Sequence, residues 1–233
     1  MPESTYASWL TQNRRSLTRS SNRLSLENTQ NNLHTKTSSN PSSTEHQPPT
    51  HTVSLKRHEQ LSFVHHRLWK IHSGYVRTLT CNAEGDLVPL GFWTKGDVVG
   101  YPVSHTSPYI AECLTAVEAE YLSENASTSH EIMLSQIYQS TSLLRIIHCK
   151  DSQQRILQFV CWLAERFGEP CDRDFQIHLR LTHQEIAESV GTTRVTVTRL
   201  LKSLEKSGQL IWKTNKKIIF RETFERCHVL ALG

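Results

Sequence analysis

At 233 residues, with a net charge of +4 and 37% hydrophobic residues, the chain has material for one large or two modest domains. No apolar run is long enough to cross a bilayer and no signal-peptide core is present, so neither a membrane nor a secreted protein is expected. The cysteines (Cys81, Cys113, Cys149, Cys161, Cys171 and Cys227) form no C-x-x-C pair and no N-terminal cluster, which argues against zinc and iron–sulfur sites and for free thiols in a reducing cytoplasm.

Residues 1–50 read as a disordered leader. Ser, Thr, Asn and Gln dominate and apolar residues are sparse, so burial cannot offset the entropy of ordering. Pro41 and the Pro48-Pro49 pair mark its end. Its Arg- and Ser-bearing, acid-poor composition is also that of a transit peptide, and Tyr6, Trp9 and Leu10 could form a short docking segment; the disordered leader is the reading preferred. His51, His58, His65 and His66 lie close in sequence but not at ligand spacing on a recognisable element, so no metal is expected there.

Residues 51–127 read as an all-β sensor domain. Leu68, Ile71, Tyr75, Val76 and Leu79 sit in short runs of strand formers. Gly74, Asn82, Glu84-Gly85-Asp86, Gly91, Gly96-Asp97 and Gly100 punctuate them as turns. Residues 128–150 read as one long helix. Met133, Ile137, Ser140, Leu144 and Ile147 recur in the alternating rhythm of a coiled-coil seam, while Leu134, Leu143 and Ile146 supply a second apolar face for packing on the β-domain. Lys150-Asp151 reads as a hinge.

Residues 151–233 read as a DNA-binding domain. Ile156, Leu157, Val160, Leu163 and Ala164 begin a supporting helix, residues 168–174 form a loop, and Phe175, Ile177 and Leu179 alternate as a small strand. Thr182 and Glu185 have capping-box spacing, Ile186, Ala187 and Val190 give one apolar face, and Gly191 ends that first helix. Thr192 or Thr193 caps a second helix to about Ser207, with Val197, Leu200, Leu201 and Leu204 inward. Thr192, Thr193, Arg194, Val195, Thr196, Thr198, Arg199 and Lys202 are left as the DNA-contact residues, beginning at the start of that helix, where a recognition helix meets base edges. Arginine can bond both guanine acceptors and an apolar side chain can meet a thymine methyl. Beyond Gly208, Leu210–Trp212 and Lys217–Phe220 form a two-stranded wing around a turn at Lys213 to Lys216, with Lys213, Lys216 and Lys217 as phosphate contacts. Phe224, Val229 and Leu230 could tuck against that wing. From Gly191 to Arg221 there are eight cations and one acid, so this segment carries +7 in a chain of +4, the focusing that phosphate binding requires.

These residues carry a family resemblance. The run G-T-T-R-V-T-V-T-R-L-L from Gly191, and more loosely the run from Leu68 to the G-D-V-V-G turn at Gly96–Gly100, resemble the CRP/FNR family of transcription regulators, most closely its cyanobacterial global nitrogen regulator branch. The resemblance implies an α+β fold: a shortened β-roll (jelly-roll, cupin-like) sensor domain, a dimerisation helix and a C-terminal winged helix-turn-helix. It implies a homodimer on palindromic double-stranded DNA, with Arg194, Val195 and Arg199 at the family's DNA-contacting positions. Valine at 195 in place of the glutamate of the CRP branch implies a half-site nearer GTA-N8-TAC than TGTGA. An activator of this family would also touch RNA polymerase. Cyclic-nucleotide binders need a glutamate and an arginine after the glycine turn, and the run from Val99 to Tyr109 has neither, so no cyclic AMP is expected. For 2-oxoglutarate the resemblance puts Gln136 where the long helix needs a cation and only His105 on the turn; Arg145 and Lys150 are the nearest alternatives. No cofactor is expected.

No P-loop, dinucleotide fingerprint, G-x-S-x-G elbow or H-E-x-x-H motif is present, so an enzyme is not expected. A second reading makes His65, His66, His105 and Cys113 a haem, metal or redox sensor with DNA contact secondary. A third makes the degenerate roll the docking surface for a controlling protein partner.

Overall fold

The computed structural model describes residues 52–62, 68–100, 104, 106–122, 130–172, 174–213 and 216–232. The expected leader, His65, His66 and His105 lie outside the described residues. Among the described residues, seven strands precede the helix that starts at His130: β1 (Thr52–Leu55), β2 (Leu68–Ser73), β3 (Val76–Cys81), β4 (Leu87–Trp93), β5 (Val98–Gly100), β6 (Ile110–Cys113) and β7 (Val117–Leu122). They form two antiparallel sheets, in the orders β1-β7-β2-β5 and β4-β3-β6. Trp69, Ile71, Val76, Trp93, Val99, Ala111 and Val117 share one core cluster. The buried indole of Trp93 donates to Thr78 Oγ1 at 2.9 Å, so neither polar group is stranded there. Gly74 makes the tight link between β2 and β3: its φ is +86°, and a Cβ would lie 2.1 Å from the Ala116 carbonyl oxygen.

Helix α1 (His130–Ile147) lies against β4 with Gln139, Ser142, Leu143 and Ile146 buried. Gln139 is fully buried because it replaces a missing strand neighbour: its amide accepts from Phe92 N–H at 3.3 Å and donates to Phe92 C=O at 2.8 Å. Gln136 donates to Val98 C=O at 3.1 Å. The expected inner face is corrected at Leu134, which is half exposed. Leu134 is nine residues from Leu143, and at 3.6 residues per turn that is two and a half turns, the opposite side.

Asp151 caps helix α2 (Ser152–Phe167) by accepting from Gln154 N–H at 2.7 Å, so the expected hinge is also a helix start. Then follow β8 (Gly168–Cys171), β9 (Asp174–Ile177), α3 (His183–Val190), α4 (Arg194–Lys206), β10 (Leu210–Lys213), β11 (Lys216–Ile219) and α5 (Arg221–Leu232). The expected loop after α2 is therefore partly a strand, and the wing is half of a four-stranded sheet ordered β10-β11-β9-β8. Gly168 and Pro170 hide β8 from a propensity reading; as an edge strand it tolerates a proline with no N–H to give. The tail is a helix whose Phe224 ring packs 4.4 Å from that of Phe175 on β9. The Val229 and Leu230 side chains lie outside the described residues.

The larger core runs from Phe92 and Leu114 in the roll through Leu143 and Ile146 to the buried faces of α2, α3 and α4. Phe92 meets Phe159 at 5.7 Å and Trp162 at 5.8 Å, both edge-on. Removing the Gln139 amide strands the Phe92 N–H, while the Phe92 carbonyl keeps its bond from Arg166 Nε at 3.3 Å. Gln139→Ala should therefore cost about 1–3 kcal/mol in urea unfolding, with an unchanged denaturant slope. A loss near zero would mean that water or a neighbour satisfies Phe92 instead.

Candidate nucleic-acid interface

The helix pair that would meet DNA is built from local signals. Thr182 and Glu185 close a reciprocal capping box at the start of α3, and Ile186, Ala187 and Val190 are buried beneath it. Gly191 turns the chain in the left-handed region (φ 63°), its N–H bonding Ala187 C=O. Thr193, rather than Thr192, caps α4 by accepting from Thr196 N–H at 3.2 Å. Val197, Leu200, Leu201 and Leu204 are buried. Arg194, Val195, Arg199 and Lys202 consequently face outward, and Val195 is 78% exposed. An apolar side chain so exposed in the first helical turn gains nothing from the fold, whereas a thymine methyl would cover it.

The threonines are less free than expected. Thr192, Thr196 and Thr198 are half-buried, and Thr193 is exposed. Thr198 Oγ1 donates to Arg194 C=O at 2.9 Å and lies 2.8 Å from His183 Nδ1. His183, in the first turn of α3, therefore borders the strip Arg194, Thr198, Lys202, one helical turn apart each. Burial, then Arg194, then Lys202 hold its pKa below the ordinary 6.5. Its place directly after the Thr182 cap, in the first turn of α3, is the sequence signal that marks it.

In the wing, Lys213 is exposed and pairs with Lys216 across the hairpin; the Lys216 side chain lies outside the described residues. Lys217 corrects the expected set. Only 5% of it is exposed, and its ammonium lies 5.5 Å from the Trp212 ring centre. Alternation along β11 turns it inward, away from solvent.

On α1, the expected seam is open: Met133, Ile137, Leu144 and Ile147 are exposed, with Ser140, and Leu134 and Tyr138 extend the same apolar face. Two ionic ties join the roll to α3, and no sequence spacing announces them. Arg77 bonds Glu112 in its own sheet and Glu188 on α3, each at 2.7 Å. Burial opposes its charge, but those two carboxylates hold its pKa above the ordinary arginine value. Arg57 reaches Glu185 at 3.4 Å and Arg180 C=O at 3.3 Å. Of the second reading's residues, Cys113 is described; burial, then Glu59 and Glu112, push its thiol up to about 12, the opposite of a reactive thiolate.

Residues 154–223 match the family model for a Crp-like helix-turn-helix domain. The chain is 38% identical over 177 residues to the regulatory protein CysR of Synechococcus elongatus, covering 75% of this chain and 85% of that one. It is 42% identical over 84 residues to the global nitrogen regulator of a Synechocystis strain, covering 36% of this chain and 37% of that one. A transcriptional regulator of the CRP/FNR family from Thermus thermophilus shares its fold, with a TM-score of 0.62 and 21% identity over 78% of this chain and 99% of that one.

A neutral, partly buried His183 makes stability depend on pH in one direction. Its folded pKa lies below the unfolded 6.5, so the unfolded chain takes the proton first. Its contribution is complete above about pH 6.5 and is lost as pH falls through that value. An NMR titration of the free protein should place the His183 midpoint below 6.5, and His183→Gln should flatten the stability profile between about pH 7 and 5.5. A midpoint above 6.5 would contradict the geometry.

Proposed function

Because the chain belongs to the CRP/FNR family of DNA-binding transcription regulators, we propose that it reads a palindromic promoter site as a homodimer, without cyclic AMP or 2-oxoglutarate. The observation that carries this reading is the outward strip of α4, where Arg194, Val195, Arg199 and Lys202 stand on a fully buried apolar frame. Arg194 and Val195 meet base edges in the major groove. Arg199, Lys202, Lys213 and Lys216 hold the backbone, and Thr192, Thr193, Thr196 and Thr198 line the approach as hydroxyl donors or through their cap geometry. The exposed face of α1 pairs with its twin, which spaces two recognition helices about 34 Å apart. The absence of arginine between Val99 and Tyr109 supports independence from an anionic effector in the roll. RNA polymerase is the further partner if the protein activates, and the cytoplasm is its compartment.

Anisotropy titrations at one salt concentration test the reading. A GTA-N8-TAC duplex should bind at least about tenfold tighter than a TGTGA duplex with no ligand added. Equal affinities, or selectivity that appears only with a ligand, would overturn it. On that duplex Arg194→Ala should cost about 1–3 kcal/mol and relax preference at one base pair, whereas Lys202→Ala should weaken all sequences alike and lower the salt slope by about one unit.

The dimer is tested separately. Ile137→Glu places a charge in the middle of the exposed apolar face, and sedimentation should show a monomer that retains its helical signal but loses cooperative binding to the full site. A dimer that survives this change would move the two-fold axis elsewhere.

A further inference from the structure

The imidazole of His183 borders the outward strip of α4 with half of its hydrogen-bonding capacity spent. Thr198 Oγ1 lies 2.8 Å from Nδ1 of that ring and 2.9 Å from the Arg194 carbonyl oxygen. A carbonyl can only accept, so the single hydroxyl hydrogen of Thr198 is committed to Arg194. Toward the ring the same oxygen must then accept, which puts the hydrogen of the neutral imidazole on Nδ1. Nε2 is left as a bare lone pair, and no group among the described residues bonds it. One hydroxyl thus sets the tautomer of a half-buried ring that stands directly after the Thr182 cap.

A bare Nε2 has nothing to offer a phosphate, which presents acceptors alone, whereas a protonated Nε2 is a charge-assisted donor. The surroundings decide when that proton is taken. Burial, together with Arg194 and Lys202 from α4, keeps the ring neutral in the free chain. Neither acid of α3 answers those two cations: Glu185 is bonded to Thr182 N–H and Arg57, and Glu188 to Arg77. β4, which also meets α3, has no titratable residue, and Arg155 of α2 bonds the far end of α3, on the Val190 and Gly191 carbonyls. Bound DNA reverses the balance, because its phosphates offset the repulsion from Arg194 and Lys202 and bring an acceptor to the ring. We propose that His183 is a further phosphate contact of the interface, one that forms by taking a proton from solvent at Nε2 when DNA binds. Nδ1–H stays on Thr198, so the imidazolium holds the recognition helix with one nitrogen and the DNA backbone with the other. The proposal rests on the DNA reading above, and its test separates the two.

The linkage has one sign. A group whose bound pKa exceeds its free pKa strengthens binding below the free value and ceases to do so as pH rises through the bound value. Affinity for the GTA-N8-TAC duplex should therefore rise between about pH 8 and 6.5, by up to about tenfold per pH unit for each protomer, in a window where the His183 contribution to stability is complete. The rise should be equal on a TGTGA duplex, since a phosphate contact carries no sequence information. Calorimetry at about pH 7, in buffers of different ionisation enthalpy, should count up to about one proton taken up per protomer, and the salt slope should be steeper at the acid end of the window by up to about one unit per protomer. His183→Gln keeps a donor for Thr198 but cannot titrate, and should abolish the proton uptake and the pH dependence together. His183→Arg is charged throughout, and should bind independently of pH with the steep salt slope retained at the alkaline end. Selective binding by the parent with no pH dependence, a dependence that survives in His183→Gln, or one confined to a single duplex would overturn the proposal. A parent that binds neither duplex at any pH overturns the DNA reading on which it rests.

Discussion

Phe92 is the point on which the rest of the molecule leans. Its backbone belongs to β4, but its N–H and C=O are held by Gln139 of α1, and the carbonyl also accepts from Arg166 of α2 at 3.3 Å. Its ring closes an aromatic group with Phe159 and Trp162. One residue therefore fixes the sheet, the long helix and the first helix of the reading head to one another. Burying such a ring is worth roughly 1.5–3 kcal/mol, comparable to what its paired backbone groups would cost if stranded. Arg166 adds an ion pair to Asp97 at 2.8 Å, so the turn that follows β4 is tied to the same helix.

The two ionic ties between the roll and α3 have a different character. Arg77 is buried, and each of its two carboxylate partners is mostly covered. Bringing three charged groups out of water costs nearly what their attraction returns, so net stability is a poor account of them. Their geometric demand is the more useful one. Glu112 is fixed by its sheet and Glu188 by its helix, and one guanidinium can satisfy both only when α3 sits at one place and angle. Phe92 and its neighbours supply most of the adhesion, while Arg77 restricts the orientation in which that adhesion is made.

What was legible in the sequence was what is encoded locally. The capping box at Thr182, the left-handed turn at Gly191 and the inward leucines of α4 each depend on residues within one or two helical turns, and all stand where their spacing puts them. Leu134 shows the limit of reading apolar residues without counting angles: it is hydrophobic and helical, yet on the other side from Leu143. The strand at Gly168–Cys171 was hidden because its partner β9 supplies the order that its own glycine and proline do not. Lys217 was misread because charge is a property of the residue, while burial belongs to what packs on it from distant segments. Arg77 and Glu188, 111 residues apart, could not have been paired from one sequence.

Arg155 bonds both the end of the α1 segment and the turn before α4. Its guanidinium donates to Cys149 C=O at 3.0 Å, in the break between α1 and α2, and to Val190 C=O at 3.1 Å and Gly191 C=O at 3.3 Å, at the end of α3. Those carbonyls lie on the turn that leads into the recognition helix. The break after Ile147 and the turn before Arg194 are therefore held by the same side chain. A fixed guanidinium spans only a narrow range of separations, so a rotation of α1 about the break must either carry the turn with it or surrender these bonds. The break that follows α1 and the turn that leads into α4 thus share one guanidinium, whose bonds to three backbone carbonyls add a polar link to the apolar core that joins the same helices.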